Sequence, residues 1–143
     1  LLDGRTSIGS INAMEARADG NVLFVAGDVL YALNVSSIPQ TVFGYSLAPG
    51  EELFLPGSFQ PLRNLVGIAI HQPTGEIYVS TPSFVYKVTG LDQSMVVAGN
   101  GALTKSTDAF PNSPTPAVNV PLLALRDLAF DAAGNLFICD SGH

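Results

Sequence analysis

The chain has 143 residues with a net charge of −6, is 47% hydrophobic and only 13% charged, and carries 14 Gly and 10 Pro. A closed domain of this length buries about 70% of its unfolded surface, and low charge with abundant turn formers fits an all-β protein. The acidic balance argues against nucleic acid, because phosphate backbones call for clustered Lys and Arg, whereas Lys87, Lys105 and the four arginines are scattered.

Leu1–Ser10 reads as a lead-in with a turn at Asp3-Gly4. Short apolar runs bounded by turn formers then predict strands: Ile11–Ala16, Val22–Ala26 and, after a tight turn at Gly27-Asp28, Val29–Val35, with Thr41–Tyr45 as an outer fourth. A connection over 46–63 follows, with Pro49-Gly50, Pro56-Gly57 and Pro61. Within it, residues 51–55 read equally well as a short strand or a helical turn. A second set comprises Leu65–Ile70, Glu76–Ser80, Phe84–Thr89 and Ser94–Ala98, with a turn at Thr81-Pro82-Ser83. Residues 99–120 form the most polar connection, and a last hairpin begins near Leu125, with its turn at Asp131–Asn135 and its return strand through Leu136-Phe137-Ile138.

The hairpin recurs. INAMEARADGN aligns without a gap on LRDLAFDAAGN, placing Gly20 on Gly134, and GIAIHQPTGEIYVS is a third copy with a turn one residue longer. His71 then holds the place of Asp131, and the anchors Gly20, Gly75 and Gly134 lie 55 and 59 residues apart. Such periods point to propellers, solenoids or arrays with an inserted loop in each unit. The units span about 11–45, 65–98 and 122–143, joined by connections 46–63 and 99–120.

The stretch Met95–His143 carries Ala98-Gly99-Asn100-Gly101, Pro116-Ala117, Pro121, Asp131 with Gly134 to Ile138, and Asp140 to His143. In that order these elements resemble the NHL-repeat pattern; the two earlier copies match it weakly. The resemblance implies an all-β chain of about two and a half four-stranded propeller blades. Closed propellers have about 4–8 blades. The expectation is therefore a segment of a longer propeller, copies that complete one another, or sheets stacked along a fibre.

Chemistry is sparse. Gly99-Asn100-Gly101 leads into polar loop, unlike a phosphate-binding turn that opens a helix, and no Cys/His spacing suits zinc. His71 reads as a turn residue. Asp19, Asp131 and Asp140 read as turn carboxylates, and Ser141 lacks a visible elbow or base. Cys139, the single cysteine, offers no internal disulfide and reads as a small buried side chain. Asn34-Val35-Ser36 is the one unblocked N-glycosylation pattern. Thr104, Ser106, Thr107, Ser113 and Thr115 lie in a Ser/Thr/Pro-rich stretch of O-glycosylated composition.

No apolar run reaches the roughly 18 residues of a membrane helix. No signal peptide is read at the start, although a chain with its signal removed would look the same. The expectation is a non-enzymatic interaction or scaffold module, extracellular and glycosylated, whose partners are other protein chains or copies of itself. No catalytic, cofactor or metal residue is assigned. The alternative implied by the resemblance is part of a metal-dependent propeller lyase or hydrolase, for which Asp131, Asp140 and His143 would be the candidate ligands.

Overall fold

The computed structural model describes residues 9–55, 62–91, 93–102, 111 and 113–142. These are all-β apart from one 3-10 turn at Ala117–Asn119. The strands are β1 (Ile11–Ala16), β2 (Asn21–Ala26), β3 (Val29–Asn34), β4 (Gln40–Val42), β5 (Tyr45–Leu47), β6 (Glu52–Leu55), β7 (Gly67–His71), β8 (Glu76–Ser80), β9 (Val85–Gly90), β10 (Gln93–Ala98), β11 (Leu125–Phe130) and β12 (Leu136–Asp140). They form a first sheet in the order β1-β2-β3-β6, a second in the order β7-β8-β9-β10, a two-stranded β11-β12 sheet and a β4-β5 hairpin. Every pairing is antiparallel.

The outer strand of the first sheet is Glu52–Leu55 and not Thr41–Tyr45: Leu30 pairs with Leu55 and Tyr31 with Phe54. Residues 40–47 fold back on themselves, with Val42 opposite Tyr45. Phe43 (φ 49) and Gly44 (φ 81) both adopt left-handed conformations at that reversal, as a two-residue primed hairpin turn requires. A bulky Phe in place of the usual Asn or Asp hides the turn in the sequence.

Alternation along each strand divides its residues between two faces. In the first sheet, Leu23, Val25, Leu30, Ala32 and Leu55 point toward the second sheet and are at most 2% exposed. They pack on Ile68, Ile70, Ile77, Val79, Tyr86 and Val88. The opposite face of the second sheet, with Ala69, Val85 and Ala98, packs on Leu125 and Leu128 of the third. Strand β7 lies between β1 and β11 and contacts both.

The two sheet-to-sheet junctions share a backbone device. Leu65 N–H donates to the carbonyl of Gly27 (2.9 Å), and Leu125 N–H to the carbonyl of Pro82 (3.0 Å). Gly27 and Pro82 occupy the same place after the second strand of their sheets, seven residues beyond the anchor glycine. Each donor follows a left-handed residue, Asn64 (φ 56) or Ala124 (φ 57). The aligned sequence repeat is thus also a repeat of docking geometry.

Gly67 shows how close that docking is, since a β-carbon there would lie 2.7 Å from Ser80 Oγ and 3.1 Å from Asp127 Cα in the third sheet. The Ala-Gly-Asn-Gly stretch meets the Pro-Ala element as well. Gly99 N–H donates to Ala117 O (3.0 Å), and Asn100 Nδ2 to Asn119 O (3.0 Å).

Candidate functional site

The turns that follow β7 and β11 open, beside Glu15 of β1, on a common cleft. Each of the three hairpin turns closes with its anchor glycine donating a backbone hydrogen bond: Gly20 to Arg17, Gly75 to His71 and Gly134 to Asp131. The cleft, about 330 Å³, is lined among others by Glu15, Ile70, His71, Phe130 and Asp131. The sequence reading passed over Glu15. Its signal was a carboxylate in a strand position that alternates with Ala13 toward the interior.

Partial burial, reinforced by the negative charge of Asp127, raises the Glu15 carboxyl above the ordinary glutamate range. Asp131 shifts in the opposite direction. The Asn135 side-chain amide donates to its Oδ2 (2.8 Å), and the N–H groups of Ala133 (2.9 Å) and Asn135 (2.8 Å) donate to Oδ1. These hydrogen bonds, the Asn135 side chain foremost, lower its pKa. Asp131 is therefore occupied in organising its own turn.

His71 Nδ1 is 2.7 Å from Thr74 Oγ1. Its ring meets Phe130 edge-on at 5.1 Å, and Phe130 meets Tyr78 at 5.1 Å on the other side. The histidine is fixed by its own turn and by the third sheet. Gln72 fastens the same region to the first sheet, donating to Ala16 O (2.9 Å) and accepting from Ala18 N–H (3.2 Å).

The other sequence candidates are dispersed. Asp140 accepts the N–H groups of Leu123 (3.0 Å) and Gly142 (2.9 Å). Ser141 Oγ donates to Ala124 O (2.7 Å) and accepts from Arg126 Nε (3.1 Å). His143, Thr104, Ser106 and Thr107 lie outside the described residues. Among the described residues, no three His, Cys, Asp or Glu side chains gather into a metal-holding group.

Cys139 is exposed, contrary to the buried reading. It pairs with Asp127 across the third sheet, on the face turned away from the second. Sequence alternation placed it on a strand but not on a side of the sheet.

Asn34 is completely buried. Its Nδ2 donates to Ile38 O (2.9 Å) and Leu47 O (2.8 Å), and its Oδ1 accepts from Ser36 N–H (2.9 Å) and Oγ–H (2.7 Å). A glycan on that nitrogen is incompatible with this packing; the side chain instead pins the inserted β4-β5 hairpin. Ser113 is exposed, and its carbonyl accepts the Thr115 hydroxyl at 3.0 Å.

Lys87 is engaged by Glu76, whose second oxygen accepts Tyr78 OH (3.2 Å). The Lys87–Glu76 hydrogen bond lowers the Glu76 pKa and raises that of Lys87. The chain matches no protein-family model and no curated protein sequence.

Proposed function

We propose that the three sheets are NHL-type propeller blades and that the chain is a non-enzymatic, extracellular scaffold module that holds other protein chains. The observation that carries this reading is the repeated docking of one sheet on the next through the same backbone hydrogen bond, Leu65 N–H to Gly27 O and Leu125 N–H to Pro82 O. The chemistry-bearing residues are largely committed to turns.

A second reading, part of a metal-dependent propeller lyase or hydrolase, draws on the cleft that brings Glu15 and His71 to the ends of inner strands. Elemental analysis of the purified chain, paired with turnover assays before and after chelation, separates the two. The scaffold reading expects no stoichiometric metal and no activity sensitive to chelation. Stoichiometric zinc or calcium, lost together with a turnover activity, would overturn it.

A further inference from the structure

Glu15 departs from the repeat. Two residues before Arg17, His71 and Asp131 stand Glu15, Ala69 and Ala129 in the three aligned copies. Glu15 lies opposite Leu23 and so shares its face, the one packed on the second sheet. Strand β1 contacts β7 there. The carboxylate therefore sits in the junction between the first and second sheets, where it is half-buried.

Among the described residues, no donor or cation compensates this charge; Glu15 meets partial burial and the negative charge of Asp127. Arg17, two residues along, is paired with Asp19 (2.9 Å), and Lys87 is engaged by Glu76. A carboxylate drawn from water without donors favours any cation that can reach it.

The cleft gives such a cation access. Its volume, about 330 Å³, falls at the lower end of the roughly 300–1,000 Å³ of small-molecule sites. Ile70, Pro73 and Phe130 give it an apolar wall, and Glu15 gives it charge. The other polar groups of the lining are occupied. Asp131 holds its own turn, Gln72 is bonded to Ala16 and Ala18, and His71 Nδ1 meets Thr74. One uncommitted carboxylate beside an apolar wall suits a single positive charge on an apolar stem. An ammonium group supplies three donors of its own, whereas a metal ion calls for a ligand group that the described residues do not gather.

We infer that this cleft binds a primary alkylammonium group, its charge on the Glu15 carboxylate and its stem along Ile70 and Phe130. A lysine side chain of another protein and a free alkylamine share this chemistry. Such binding is independent of the scaffold reading.

The test is a titration of the isotopically labelled whole chain, followed by amide chemical shifts. The probes are Nα-acetyl-lysinamide, butylammonium and n-butanol, which carries the same stem without the charge. It is run on wild type and Glu15→Gln, with circular dichroism confirming the fold of the variant. Saturable shifts at Glu15, His71 and Phe130 are expected with an amine, and n-butanol should bind at least about tenfold more weakly. Glu15→Gln should weaken amine binding by about tenfold or more, as expected on loss of a charge-assisted hydrogen bond. Added salt should weaken it in wild type.

Tighter binding of Nα-acetyl-lysinamide would assign the cleft to a lysine side chain of another chain, and tighter binding of butylammonium to a free amine. No saturable shift with either amine would overturn the inference. Unchanged affinity in Glu15→Gln, or n-butanol binding as well as butylammonium, would overturn it too. None of these results touches the scaffold reading, whose failure would appear separately as stoichiometric metal and a turnover activity lost on chelation.

Discussion

The Nε2 atom of His71 lies 3.0 Å from the point where a β-carbon on Gly134 would stand, and the Arg17 guanidinium lies 3.3 Å from the same point on Gly75. In both cases the first residue of one turn reaches the anchor glycine of the next. The glycines are therefore constrained twice, by a left-handed backbone and by a neighbouring side chain. At Gly134, where φ is +84°, alanine costs about 1–2 kcal/mol from the backbone alone, and the imidazole contact adds to it. Denaturant unfolding of Gly134→Ala in wild-type and His71→Ala backgrounds should show a smaller loss in the second. Equal losses would mean that the contact contributes nothing.

Asn34→Ala removes the amide that satisfies Ile38 O and Leu47 O. A buried group left without its partner costs about 1–3 kcal/mol. The variant should melt at a lower temperature and expose the 40–47 hairpin to limited proteolysis first. Intact-mass analysis of the chain expressed through a secretory pathway should show Asn34 unmodified.

Ser80→Ala is expected to act in the opposite direction. The Ser80 hydroxyl is fully buried with no hydrogen-bond partner, a desolvated polar group that opposes folding. Its removal should leave stability unchanged or raise it by up to about 1 kcal/mol, read from the urea midpoint at constant m-value.

Glu15 and Asp131 give the cleft opposite responses to acid. The Asp131 pKa is lowered on folding, so its contribution is present above the unfolded-state value and is lost as pH falls through the lower, folded value. Glu15 is raised, so ionisation opposes folding at neutral pH, and that penalty disappears as pH falls below the unfolded glutamate value of about 4.3. Glu15→Gln should accordingly raise the melting temperature at pH 7 and leave it nearly unchanged at pH 3. Asp131→Ala should lower it at pH 7 and flatten the acid limb of the stability curve.

Strand existence was legible because alternation and turn residues act locally. β1 matches the expected Ile11–Ala16, and β8 the expected Glu76–Ser80. The fourth strand of the first sheet was not legible, because its identity depends on pairing between Tyr31 and Phe54 across the inserted hairpin. The turn that creates this insertion is marked by Phe43-Gly44, which lacks the usual polar residue at a positive φ. Burial was harder still. Cys139 and Asn34 sit in similar strand contexts, yet one is exposed and the other sealed. The difference is which neighbouring element covers each face, a tertiary fact that periodicity does not carry. The cleft was half visible, through His71 and Asp131; Glu15 joins them only once β1 and β7 are side by side.

Successive sheets are joined by one repeated junction, and native-state amide hydrogen exchange at Leu65 and Leu125 reads that junction at its donors. Both N–H groups precede or begin a strand and donate to a turn of the preceding sheet. Slow exchange is expected at both, with opening free energies close to those of core amides such as Val79. Exchange at either position as fast as in an open loop would contradict it.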